Sequence, residues 1–165
     1  MSYFAALLTR TGTSWEVAEA SLDGCESVAD IGDVLRDATG DVRLVVLEQD
    51  DEYAAIVRLD DDGEEPRAFL SDAHAADSYA VAGYLAEDLD EAVDDVVEDS
   101  EDLIEDVPAT HESAPLGDAE IVDDLGTGAS ELLALCAHEG TLPIDLLVAV
   151  CEKAGCGAEF EELRG

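Results

Sequence analysis

Four cysteines and three histidines are the residue types in this chain best suited to covalent or metal chemistry: Cys25, Cys136, Cys151, Cys156, His74, His111 and His138. No Cys-x-x-Cys pair occurs among them. Cys136 and His138 stand two apart, which on a helix sets them roughly 200° from each other, too far round to share one ion readily. Zinc sites favour two close pairs in loop geometry, whereas Cys151 and Cys156 are five apart in an apolar helical run. Core thiols account for the same residues. His111 falls in "VPATHESAPLG", which has the composition of a linker. There is no Gly-x-Ser-x-Gly elbow, no phosphate-cradling glycine loop and no twelve-residue calcium-loop spacing. "GTG" at 126–128 reads as a helix stop and restart. The expectation is a protein without catalytic residues, cofactor or metal.

The charge is the outlier: 43 acidic residues against 7 basic ones leave a formal net charge of −36. Such a surface repels polyphosphate, so direct nucleic-acid or anionic-membrane binding is disfavoured, and long-range attraction favours a basic protein partner. The stretch "EDLDEAVDDVVEDSEDLIED", residues 87–106, holds twelve carboxylates in twenty positions without a Lys or Arg. Glu87, Asp88, Asp94, Asp95, Glu98, Asp99, Glu101, Asp102, Glu105 and Asp106 are therefore the electrostatic candidates for partner binding. A solvated tether that merely separates two modules is the simpler account of them, and solubility or salt adaptation explains the overall charge. No run of eighteen apolar residues exists for a membrane helix. The start "MSYFAALLTRTGTSW" lacks the form of a secretory signal, so the expected address is the cytoplasm.

Residues 1–83 read as an α+β domain. "SYFAALLTR" and "WEVAEA" flank the turn signal "TGTS" as a hairpin. Ser27 caps a helix whose Val28, Ile31, Val34 and Leu35 recur at three and four, closed by Gly40. "VRLVVLEQ" and "EYAAIVRLD" form a strand pair turning at Asp50 and Asp51, "RAFLS" is a further strand, and Ser71–Asp72 can cap a second helix. This order predicts a mainly antiparallel sheet with packed helices. Between Arg67 and Lys153 the chain has no Lys or Arg, the sharpest composition break in the sequence. Residues 84–116 are expected as an acidic, flexible linker, its core over 88–116. Residues 117–165 are expected as a small helical bundle, with helices near Asp118–Leu125, over "SELLALCAHEG" and over "TLPIDLLVAVCEKAG". At about 49 residues that bundle is marginal alone, so it should rest on the first domain or on a partner. Leu133 and Leu146 stand off the main apolar stripes of their helices, so both are expected either to be exposed for a partner or to cover the first domain.

Three blocks, "MSYFAALLTRTGTSW", "EYAAIVRLDDDGEEPRAFLSDA" and "LGDAEIVDDLGTGASELLALCAHEGTLPIDLLVAVCEKAGC", resemble the actinobacterial tRNA adenosine deaminase-associated protein family. The resemblance spans both ordered parts and leaves out the acidic stretch. It implies association with a tRNA adenosine deaminase and not the deaminase chemistry itself. A zinc deaminase needs His-x-Glu and Pro-Cys-x-x-Cys, and neither occurs here. The reading is a non-catalytic accessory protein for the deaminase or another basic partner. The alternative is an acidic structural or salt-adaptation protein with no specific enzyme partner.

Overall fold

The computed structural model describes residues 3–22, 24–60, 66–96, 115–137 and 141–164. Strand periodicity explains its centre. In β3 (Val42–Gln49) and β4 (Tyr53–Asp60) both alternating sets are apolar. Leu44, Val46, Ala54 and Ile56 point to one face and Val45, Leu47, Ala55 and Val57 to the other, all of them buried. Strands apolar on both sides must be covered on both sides. They sit in the middle of a six-stranded sheet with order β2-β1-β3-β4-β5-β6, every neighbouring pair antiparallel. The others are β1 (Phe4–Thr11), β2 (Ser14–Glu19), β5 (Arg67–Leu70) and the two-residue β6 (Leu116–Gly117). With the helices below, this is the expected α+β class.

One face carries α1 (Val28–Asp37) and α2 (Ala80–Val96). Ser27 caps α1, its hydroxyl accepting from the Asp30 N–H at 3.2 Å, while the Asp30 carboxylate accepts from the Glu26 N–H at 2.8 Å. Asp88, from α2, accepts from the Val28 N–H at 2.8 Å, so one helix satisfies an orphan donor of the other. Asp72 does cap a helix, but a 3-10 turn over Ala73–Asp77, and α2 begins only after it. The boundary expected at 83 falls inside α2, and the linker expected from 84 begins as helix through Val96. Packing explains the difference. Leu85 and Ala86 are fully buried against the sheet. Burying one leucine is worth about 1.5–3 kcal/mol, against roughly 0.2–0.5 kcal/mol lost per like-charged i,i+4 pair.

The opposite face is covered by the chain after residue 115. Gly117 sets β6 against β5 with φ +107°, where a Cβ would lie 2.5 Å from the Ala68 carbonyl oxygen. Only glycine fits that approach. The helix expected near Asp118–Leu125 is reduced to turns and a 3-10 turn at Asp123–Leu125. There follow α3 (Ala129–Ala137), α4 (Pro143–Ala154) and α5 (Gly157–Arg164). Leu132, Leu147, Val150 and Phe160 share a core with Ala6, Leu44, Val46 and Ile56 of the sheet. These helices thus share one core with the sheet. The Trp15 indole N–H donates to the Ala154 carbonyl at 3.1 Å, and Phe4 meets Phe160 edge-on at 5.7 Å. At the end of α4, Gly155 turns left-handed (φ +105°) and the Cys156 N–H returns to the Cys151 carbonyl at 2.9 Å. In this Schellman arrangement Cys151 and Cys156 are the two residues whose side chains close the helix end.

Arg58 on β4 and Arg67 on β5 are direct cross-strand partners on the face covered by the C-terminal segment. Like charges so placed repel. The segment supplies the neutralising groups: Asp124 grips Arg58 through two bonds of 2.6 and 2.8 Å, the Ile121 carbonyl accepts a third at 2.7 Å, and Asp118 meets Arg67 at 3.0 Å. Arg58 is buried, whereas the Asp124 side chain keeps 59% of its exposure. Its hydrogen bond to Arg58 holds the Asp124 carboxyl below the usual carboxylate range. A lowered native pKa stabilises the fold above the unfolded carboxylate value, near 4, and that contribution disappears as pH falls through the native value. Asp124→Asn should therefore destabilise the protein at neutral pH by about 1–2 kcal/mol, less than for a fully buried pair because Asp124 is screened. Urea unfolding at stepped pH should show the gap from wild type constant above about pH 5 and closing below about pH 4. A gap that stays constant down to acid pH would contradict this assignment.

Candidate functional site

Of the residues chosen for their chemistry, Cys151 and Cys156 are buried together at the end of α4. Their mutual hydrogen bond, with burial, pushes the Cys151 thiol well above the ordinary range, so it is a packed thiol at neutral pH. His74 is exposed and lies 3.5 Å from Asp77. His111 and His138 lie outside the described residues. Among the described residues no three His, Cys, Asp or Glu side chains are grouped as a metal site needs.

The acidic candidates divide. Glu87 is exposed on α2, while Asp88 is occupied by the Val28 N–H. Asp94 and Asp95 belong to the last turns of α2. Glu98, Asp99, Glu101, Asp102, Glu105 and Asp106 lie outside the described residues. The two leucines divide as well. Leu146 is 3% exposed within the core between α4 and the sheet, and Leu133 is 41% exposed on α3. Position on the helix decides this. α3 buries only Leu132, leaving Leu133 outward, whereas α4 lies flat on the sheet and buries Leu146 beside Leu147.

A groove of about 310 Å³ opens at the end of the sheet where β3 turns into β4. One side carries carboxylates: Asp51 and Glu52 from that turn and Asp72 from the residues after β5. The other side is apolar: Leu135 from the last turn of α3, with Leu142 and Leu146 at the start of α4. Leu142 is 46% exposed. Reciprocal hydrogen bonds anchor the acidic side, the Ala54 N–H donating to the Ser71 hydroxyl at 2.8 Å and the Ser71 N–H to the Ala54 carbonyl at 2.9 Å. Burial, then the nearby Asp72 charge, pushes the Cys136 thiol in this groove up to about 11. It is protonated at neutral pH and adds polarisable apolar surface. The sequence marked Asp51 as a turn residue and Asp72 as a helix cap, and none of Asp51, Glu52, Asp72 or Leu142 as a site residue. They come from three distant segments that only the fold brings together.

A family model described as "Rv3753c-like tRNA adenosine deaminase-associated protein" matches residues 3–157. The chain belongs to that family. No curated protein and no solved structure matches it. The family is described as associated with the deaminase, not as the deaminase, in agreement with the resemblance seen in the sequence. Among the described residues no helix is long and apolar enough to cross a membrane.

Leu133 and Leu146 are separable by single substitutions. Leu146→Ser should cost about 3–5 kcal/mol, since it opens a cavity and buries a hydroxyl. Leu133→Ser should change stability by less than about 0.5 kcal/mol. Thermal or urea unfolding of the two variants checks this, and equal losses would refute the packing described.

Proposed function

We propose that this protein is a non-catalytic accessory protein that binds a basic protein surface, that of a tRNA adenosine deaminase. Membership of a family described by its association with that enzyme is the observation that carries the reading. The charge supports it. An enzyme acting on tRNA presents basic surface to its substrate, and a chain with net charge −36 is the electrostatic complement of such a surface. Among the described residues, most of the chain's cations are engaged internally. Arg58 and Arg67 neutralise Asp124 and Asp118, Arg43 caps carbonyls at the end of α1, Arg10 lies over the Trp15 ring, and Lys153 meets Glu131. That leaves little with which to grip phosphate, so the partner is a protein and not the nucleic acid. Glu87, Asp94 and Asp95, with the carboxylates of 98–106, supply long-range attraction in this reading. Exposed Leu133 offers apolar contact. The cytoplasm, where tRNA is modified, is the corresponding place of action.

The same charge favours a second reading, salt adaptation without a specific partner. The two respond to salt in opposite ways. Calorimetric titration with the deaminase from the same organism should show binding in dilute buffer by a folded protein, and the affinity should fall steeply as salt rises. A protein that unfolds on salt removal and shows no binding at any salt concentration would establish the second reading instead.

A further inference from the structure

Two residues of the groove are not those that local stability would select. Asp51 has φ +60°, in the left-handed region, and follows Asp50 at φ +55° in the β3–β4 turn. Positive φ at both central residues is the signature of a type I′ hairpin turn, where Asn-Gly or Asp-Gly is the favoured pair. Asp50 has an internal use, since its carboxylate hydrogen-bonds Tyr79. The Asp51 carboxylate is exposed and lines the groove, at a position where glycine would avoid the strain. Leu142 is the second case. It occupies the N-cap of α4 in extended conformation, immediately before Pro143. Its N–H reaches the Asp145 carboxylate at 3.3 Å, but leucine has no side-chain oxygen to cap in return. Serine, aspartate or asparagine is preferred at that place. An exposed leucine there forgoes the cap and leaves a large apolar side chain in water.

Local conflicts of this kind concentrate where a surface has another task. These two meet in one groove from segments about ninety positions apart. Together they pair an apolar anchor with negative charge. We propose that this groove is the docking site for a partner segment that places a Lys or Arg among Asp51, Glu52 and Asp72 and rests an apolar side chain on Leu142. The proposal depends on the accessory reading above and assigns it a site. Charge complementarity identifies the occupant. A second copy of a chain at −36 would bring carboxylates to carboxylates, and the run 97–114 of this same chain is itself rich in acids. A basic side chain has both parts needed, since its aliphatic stem can lie along Leu135 and Leu142 while its charge reaches the opposite wall. Ala137 also lines the groove, and Leu133 lies one helical turn before it, so the apolar surface continues along α3.

The test uses the full chain with two variants that local physics favours for folding. Asp51→Gly relieves the left-handed backbone, and Leu142→Ser installs an N-cap, so both should melt at or above the wild-type temperature. In calorimetric titrations with the deaminase, Leu142→Ser should weaken binding by about tenfold or more, as loss of one apolar anchor does. Asp51→Gly should weaken it severalfold with a shallower salt dependence. Glu159→Gln, on α5 away from the groove, should change it by less than about twofold, as expected of a peripheral charge. Wild-type affinity in both groove variants would overturn the site while leaving the accessory reading intact. Absence of binding by the wild-type chain would overturn both. Sedimentation showing a wild-type dimer that Leu142→Ser dissolves would assign the groove to a second copy and overturn the basic occupant.

Discussion

The arrangement that the rest of this structure depends on is the neutralisation of two arginines that the sheet forces side by side. Register places Arg58 directly across from Arg67, on the face where the neighbouring positions are Ala54, Ile56 and Phe69. Two guanidinium groups cannot be left together in an apolar layer. The segment that roofs them must bring carboxylates, and residues 118–124 bring Asp118 and Asp124. Five of the seven basic residues precede residue 71, and the C-terminal segment brings carboxylates to two of them. The complementarity is local, Asp124 to Arg58 and Asp118 to Arg67, within a chain that is acidic on both sides of that contact.

Once that segment is seated, the second core follows. Ile121, Val122 and Leu125 lie beside the ion pairs, and α4 continues the layer over β3 and β4. Phe160 of α5 meets Phe4, and the Trp15 indole reaches the last carbonyl of α4. A module of this size buries too little apolar surface to stand well alone. Spread over a sheet whose outer pleat is already apolar, it completes a three-layer body. The cysteines belong to this economy too, Cys151 and Cys156 closing the end of α4 where the hairpin indole reaches its last carbonyl.

The same packing sets what remains outside. Covering both sheet faces uses almost every large apolar side chain among the described residues, leaving Leu133 and Leu142 as the exposed exceptions. Both are on the C-terminal layer. Leu142 lies opposite carboxylates of the β3–β4 turn and of the residues after β5. In a chain so acidic a carboxylate carries little information by itself. Three of them opposite an exposed leucine, in a groove of about 310 Å³, carry more, because geometry and not composition has brought them there.

What the amino-acid order determined alone is the local inventory. Short, nearly continuous apolar runs bounded by turn signals made Val42–Gln49 and Tyr53–Asp60 strands, Ser27 and the three-and-four spacing after it made α1, and Gly155 ended α4. These rest on periods and caps that act within a few residues, so they are legible without a partner element. Family membership was legible for a related reason, since it lies in contiguous blocks. Tertiary contact decided that the helix runs on past residue 83, because Leu85 and Ala86 are buried against the sheet. It also decided that Leu146 is core while Leu133 is surface, since both stand off their stripes and only the lie of each helix on the sheet separates them. The groove was the least legible feature. The poor local fit of Asp51 and Leu142 shows only once the turn and the helix cap are known, and their convergence with Asp72 is set by strand register and by the arginine-anchored return of the chain, neither of which is a local quantity.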